Sequence, residues 1–208
     1  MEKRLPQSFL TWAYDGRKKL VQSIASGEKI SREKIFLGFT RHSPAVITDG
    51  PAGLNGSIKG VGFIPKSEYI NDILAQFIEH IDSGYDESYS QRGLDLLIKL
   101  IWNDEARERL DFTRLVTLEL AKSHTWTNVQ DNPRATLLFF EPPVISFELR
   151  CFVEIHTDDI IHEFVNAQHD VYHKPDVPAW GKRPAYLFKI EEIYDNSATQ
   201  TGFGNRIY

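Results

Sequence analysis

Apolar residues recur at three- and four-residue spacing over residues 66–82. There Ile70, Ile73, Leu74, Phe77, Ile78 and Ile81 form one helical face, and Gly84 closes the run. Leu94, Leu97, Ile98 and Ile101 repeat the rhythm and predict a second helix from about 91 to 110, after a polar loop at 82–90. Residues 7–26 read as an N-terminal helix with Phe9, Ala13, Leu20 and Ile24 near helical spacing. Ser8 or Thr11 is its candidate cap and Gly27 its end. A further helix is expected at 158–173, with Asp158 and Asp159 favourably placed against the dipole of its first turn.

Elsewhere the period is two. Ile145, Phe147, Leu149, Cys151, Val153 and Ile155 alternate with Ser146, Glu148, Arg150, Phe152 and Glu154, the signature of a strand that buries one face. Strands are also expected at 114–120, 134–140 and 185–190, and a short one at Ile35-Phe-Leu-Gly-Phe39. Residues 45–64 read as a hairpin whose turn is Asp49-Gly50-Pro51 with Gly53. Gly56, Gly60 and Gly62 weaken its second strand and mark a bulge, a barrel corner or the close approach of a ligand. A proline-rich loop with Pro175, Pro178 and Pro184 precedes the last strand, and the tail at 199–208 is extended or loose. About six strands in hairpin order argue for an antiparallel sheet or barrel, hence an α+β fold with helical decoration. There is no internal repeat.

Composition narrows the function classes. The 208 residues are 41% hydrophobic and 12% aromatic, ample for a core within one domain spanning 1–208. A net charge of -5 provides no global attraction to nucleic acid or an anionic membrane, so neither is an expected partner. Cys151 is the sole cysteine, which excludes an intrachain disulfide and a cysteine metal cluster, and its place in a strand reads as a buried hydrophobe. No stretch approaches the ~20 apolar residues of a membrane span. The N-terminus lacks a signal-peptide core, and a cytoplasmic protein is expected.

Chemistry concentrates between two strands, in Lys122-Ser123-His124-Thr125-Trp126-Thr127-Asn128 followed by Asn132-Pro133. One cation, three hydroxyls and an amide beside an indole suit a phosphate and the edge of a flat ring. The same residue types also start helices and cap turns, and Thr125 or Thr127 is a candidate N-cap for a short helical turn ending at Asn132. His162, His169 and His173, with Asn166, fall on one stripe of the 158–173 helix, away from Ile161, Phe164, Val165 and Tyr172. This predicts a solvated or boundary face. A metal held by His169 and His173 is an alternative, although no glutamate completes the zinc-hydrolase pattern. Ser43 and Ser57 lack a nucleophile setting, and Gly202-Phe203-Gly204 is too short for a dinucleotide fingerprint.

Asn128, Asn132-Pro133 and the strand Ala135-Thr-Leu-Leu-Phe-Phe140, in that order and spacing, resemble the central hairpin of the FMN-binding split barrels, the pyridoxamine 5'-phosphate oxidase-like family. The 45–64 hairpin resembles that family's first two strands, and 147–155 its following strand. The likeness covers about 35–64 and 112–193, interrupted by a helical insertion at 66–110. It implies an antiparallel split β-barrel and a homodimer with a flavin pocket between subunits. FMN is the implied cofactor, with a deazaflavin or haem as family variations, and the implied activity is that of a flavoprotein oxidoreductase acting on a small molecule. Lys122, Ser123, Thr125 and Thr127 are then the phosphate anchors, Trp126 lines the ring, Asn128 holds the turn, and Arg150 is a further cofactor contact. One departure stands out: Thr125 occupies a position where members commonly carry Lys or Arg. Either the hydroxyls and Lys122 do that work, or the phosphate site is lost and the chain is a non-enzymatic split-barrel dimer serving as a scaffold.

Overall fold

The computed structural model describes residues 4–208. The chain opens with α1 (Gln7–Leu10), a π-helical turn (Thr11–Asp15) and α2 (Gly16–Ala25), whose junctions keep helical angles so that the three run on as one rod. Phe9 and Trp12 pack on Phe139 and Phe147 with ring centroids 5.3–6.1 Å apart, and Tyr14 stacks on Trp102 at 5.3 Å while donating its hydroxyl to the Ile101 carbonyl at 2.6 Å. The first helix therefore plugs one end of the sheet with aromatic rings.

Residues 32–40, in which the short apolar run suggested a strand, form α3 (Arg32–Thr40). The Ser31 hydroxyl accepts from the Lys34 N–H, and Glu33 lies in the first turn, so local capping chose the helix. A run of five apolar residues cannot distinguish the two periods. Gly38 is where α3 crosses α2: a Cβ there would meet the Leu20 side chain at 1.9 Å.

Eight antiparallel strands follow: β1 (Ala45–Thr48), β2 (Asn55–Ile58), β3 (Gly62–Pro65), β4 (Leu110–Leu118), β5 (Arg134–Glu141), β6 (Ile145–His156), β7 (Ala185–Asp195) and β8 (Asn205–Arg206). They pair in the order β2-β1-β5-β6-β7-β4-β3, with β8 on β7. The expected second hairpin strand is thus two strands, which sit on opposite edges of the sheet. Only residues 59–61 join them, a reach of at most ~14 Å, so the open sheet curls until its edges nearly meet. Val61 N–H donates to the His42 carbonyl at 2.8 Å, and Thr117 Oγ1 to the Gly60 carbonyl at 2.6 Å, across that gap. The glycines at 60 and 62 mark this corner. The fold is α+β, an antiparallel split barrel whose sheet is not closed.

The alternation read in β6 holds: Phe147, Leu149, Cys151 and Val153 are buried, joined by Val46, Leu137 and Phe139 from its neighbours. Burial raises the Cys151 thiol pKa far above its usual value, as expected for an inert hydrophobe. The insertion is α4 (Ser67–Asp82), α5 (Tyr89–Leu100) and α6 (Asp104–Arg107). The expected 91–110 helix is therefore shorter. Asn103 breaks it by capping α6, accepting from Ala106 N–H at 2.7 Å, and Leu110 already belongs to β4. Phe77 of α4 packs on Phe164 of α8 (Ile160–Asp170), centroids 5.7 Å apart, so the insertion covers the sheet through that helix. Asp159 caps α8, accepting from the Ile161 and His162 N–H groups at 3.0 Å. Among the described residues no helix is long and apolar enough to cross a membrane.

Candidate functional site

The polar stretch after β4 is organised by a residue that composition did not single out. Glu119 is 1% exposed. Its carboxylate accepts from the Ala121 and Lys122 N–H groups at 2.8 Å, from Lys59 Nζ at 2.8 Å and from the Tyr186 hydroxyl at 3.0 Å. Burial alone would raise its pKa, but the bond from Lys59 and the two N–H donors outweigh it and the net shift is downward. Burial is also the main reason the Tyr186 hydroxyl is pushed well above its usual range, with Glu119 adding to it. The chain turns over this anion with Lys122 at a positive φ of 47° and enters α7 (His124–Asp131).

Ser123, not Thr125 or Thr127, occupies the N-cap position of α7, and its side chain makes no capping bond. Its carbonyl accepts from Thr127 N–H at 3.0 Å and Thr127 Oγ1 at 3.3 Å. Thr125 points inward: Asn55 donates to its hydroxyl at 2.9 Å, and Ser57 Oγ lies 3.0 Å away. Asn128 is wholly buried, donating to Thr48 Oγ1 at 3.2 Å and the Gly53 carbonyl at 2.8 Å while accepting from Ala52 N–H at 2.8 Å. It pins the β1–β2 turn, whose Gly53 has φ +78°. Trp126 stacks on Tyr186 at 6.3 Å, with the Lys122 ammonium 5.4 Å from its ring. The side chains left for an anion on this turn are Lys122 and Ser123, since the Thr127 hydroxyl is given to the Ser123 carbonyl. Thr125 and Asn128 are engaged by β2 and its turn.

Arg150 lies elsewhere, in a groove of about 650 Å³ on the outer face of the sheet. Ile47, Ala135 and Thr136 line it beside Arg134, Arg150 and Arg206, and no residue of the 122–128 turn does. Each arginine already has a carboxylate. Arg150 Nε meets Glu148 at 2.8 Å and its Nη1 meets Glu192 at 3.3 Å, Arg206 meets Glu192 at 3.0 Å, and Arg134 pairs with Glu191. The Arg150 guanidinium also sits 4.5 Å from the Tyr194 ring.

The histidine stripe corrects half of an expectation: His169 is half-buried and His173 exposed, as a boundary face requires, but His162 and Asn166 turn inward. His162 is 5% exposed and hydrogen-bonds the Trp180 carbonyl at 3.0 Å. Asn166 is fully buried, donating to the His162 and Arg183 carbonyls. Both face the loop carrying Trp180 and Arg183, because Asp170 on the same stripe anchors it: it accepts from Trp180 Nε1 at 2.8 Å, Arg183 at 2.9 Å and Asp176 N–H at 2.9 Å. Burial would raise the Asp170 pKa, yet the bonds from His169, Trp180, Asp176 and Arg183 hold it far below the usual carboxylate range. Among the described residues no group of three His, Cys, Asp or Glu is placed to hold a metal ion.

No protein-family model matches the chain, and no curated protein matches it. In fold it is similar to HupZ of Group A Streptococcus, at 15% identity and a TM-score of 0.46 over 85% of this chain and 99% of that one. A pyridoxamine 5'-phosphate oxidase-related, FMN-binding protein of Nostoc punctiforme gives 10% identity and 0.44, over 93% and 84%. General Stress Protein 26 of Bacillus anthracis gives 12% and 0.39, over 74% and 82%. The proteins to which this chain is similar in fold thus include a member of the family that its sequence resembles.

Proposed function

We propose that the protein binds a planar, phosphorylated cofactor of the flavin class, FMN or a deazaflavin, in the groove on the outer face of the sheet and acts as an oxidoreductase. The groove carries this reading. At about 650 Å³ it falls in the range of roughly 300–1,000 Å³ typical of small-molecule sites. It also joins an apolar floor to three guanidinium groups, the donors best suited to a phosphate. Arg150 and Arg206 share Glu192, so a phosphate entering between them exchanges one anion for another. Ile47, Ala135 and Thr136 offer a surface for a ring system. When bound, the isoalloxazine would supply the redox chemistry, and the protein contributes placement and electrostatics. The groove is open, and in the homodimer implied by the family resemblance a second copy covers it. Leu54 and Ile58, 79% and 70% exposed, are apolar groups available to that contact.

A non-enzymatic split-barrel dimer is the second reading, favoured by a specific observation: Thr125 and Asn128 spend their polar groups inside the fold. Absorption of the freshly purified protein, with and without added FMN, separates the two. Bands near ~370 and ~450 nm that survive gel filtration and weaken in Arg150→Ala support the flavin reading. A Soret band assigns haem instead. A colourless protein that ignores FMN leaves the scaffold reading standing.

A further inference from the structure

The helical hairpin of α2 and α3 encloses a cleft of about 260 Å³ that is separate from the groove. Lys19, Lys29, Lys34 and Arg41 line it, against the carboxylates of Glu28 and Glu141. Among the described residues Lys19, Lys29 and Lys34 enter no ion pair, whereas the arginines of the outer groove are all paired.

Behind the cleft the imbalance continues into the protein. Arg41 meets Glu141 at 2.8 Å, and Trp12 Nε1 donates to the same carboxylate at 2.8 Å. Arg41 also borders a water-sized inner cavity of about 10 Å³, whose other wall includes Arg17 and His42. Among the described residues the sole hydrogen bond of the Arg17 side chain is a long one to the Gly38 carbonyl, 3.3 Å, and no carboxylate pairs with it. The Nε atoms of both arginines are buried and have no partner. Burial, with Arg41 adding like charge, pulls the Arg17 pKa down to about 10. Glu141 thus meets Arg41 alone at a cleft lined by three unpaired ammonium groups, while the Arg17 guanidinium behind it has no carboxylate among the described residues. Three ammonium groups and one guanidinium against the carboxylates of Glu28 and Glu141 leave the cleft with excess positive charge, which an anion there offsets.

We propose that this cleft binds a small polyanion of the phosphate or polyphosphate class, held by Lys19, Lys34 and Arg41. This site owes nothing to the flavin reading. Its size suits a diphosphate group, and three convergent cations give the multiple charge-assisted bonds such a group takes.

The test is calorimetric titration of the full chain with pyrophosphate and, separately, with ADP, in about 50 mM salt, where surface charge is little screened. Saturable binding at one site per chain is expected, weakened on the order of tenfold in Lys19→Gln/Lys34→Gln and unchanged in Lys174→Gln/Lys182→Gln. The four lysines have no carboxylate partner, so both pairs keep the fold, which thermal unfolding checks. Tighter binding of ADP assigns the phosphates of an organic ester, and tighter binding of pyrophosphate assigns a free anion. No binding of either, or equal loss in both pairs of variants, overturns the site, the second because it marks diffuse attraction. Binding of an acidic peptide where both phosphates fail also overturns it. Flavin absorbance unchanged in Lys19→Gln/Lys34→Gln keeps this result independent of the groove.

Discussion

The turn at 119–128 and the α2–α3 cleft hold similar inventories of polar side chains and opposite balances of unmet need. On the turn, Glu119 receives four donors, Asn128 makes three bonds and Thr125 two polar contacts, all inside the fold. At the cleft, Glu141 meets Arg41 alone, the Arg17 guanidinium behind it has no carboxylate, and among the described residues the three lysines lining the cleft enter no ion pair. The turn is dense in residue types that bind phosphate, yet its two best-placed groups are spent on architecture. The cleft looks unremarkable in sequence and leaves its charge uncompensated. A polar cluster is evidence for a ligand only after its internal bonds are subtracted.

Substitutions on the turn should therefore damage stability, and the largest effect should come from Glu119. Glu119→Gln sets an amide against Lys59 and Tyr186 and leaves a mostly buried ammonium without its anion. Breaking such a pair costs roughly 3–5 kcal/mol. Urea unfolding measures it, and Lys59→Met/Glu119→Leu should recover part of the loss. If Glu119→Gln costs under ~1 kcal/mol, the turn is not built on this carboxylate. Asn128→Ala comes next. It orphans the Ala52 N–H and the Gly53 carbonyl at about 1–3 kcal/mol each, so a loss of about 3 kcal/mol is expected. An exposed, ligand-facing amide would cost almost nothing to remove, and that result would return Asn128 to the binding surface.

The region behind the cleft should respond to acid. Burial, aided by the charge of Arg17, pushes the His42 pKa down to about 4, below the ordinary value near 6.5, with a partial opposing effect from its bond to Val61. Because the folded value is the lower one, the unfolded chain binds the proton first. The contribution is complete above pH ~6.5 and is lost as pH falls toward 4, amounting to about 3 kcal/mol. Glu119 and Asp170 are also depressed and carry the same sign, but they act only below pH ~4. Stability measured by denaturant across pH 4–7 should fall in wild type and fall much less in His42→Gln, the remainder coming from His80 and His173, whose pKa values burial also lowers. A slope undiminished in the variant would move the titration to another group.

How much of this was legible follows from the range of each signal. Period-two alternation in β6 and the apolar stripe of α4 are local patterns, and both elements formed where their residues said. So did the hairpin turn at Gly53, whereas no local pattern in 45–64 announces that Asn128 pins it from 75 residues away. The strand expected at 35–39 was lost to Ser31, whose cap is worth about 1 kcal/mol and outweighs five ambiguous residues. The split of the second hairpin strand depends on where the far edge of the sheet lies, which no window of 45–64 contains. The same holds for the inward half of the histidine stripe: His162 and Asn166 face the core because Trp180 and Arg183, 18 and 17 residues later, return to meet them. Glu119 did carry a signal, a single acid in Leu-Val-Thr-Leu-Glu-Leu, but its partner Lys59 is 60 residues away.

The smallest effect sharpens the comparison most, because the sign separates the two regions. Lys19 and Lys34 belong to a cleft with an excess of positive charge, so their removal takes away repulsion and breaks no ion pair. Lys19→Gln/Lys34→Gln should leave the stability of the free protein unchanged or raise it by up to ~0.5 kcal/mol at low salt, and added salt should erase the gain. The same pair abolishes most of the stabilisation that pyrophosphate confers on the wild type, since a ligand raises stability in proportion to its affinity for the folded state. On the turn the order is reversed for the engaged groups: loss of Glu119, Thr125 or Asn128 lowers stability with or without a ligand. If the double lysine variant were instead destabilised by more than ~1 kcal/mol in the absence of any anion, those ammonium groups would be structural partners like Lys59, and the contrast between the two regions would disappear.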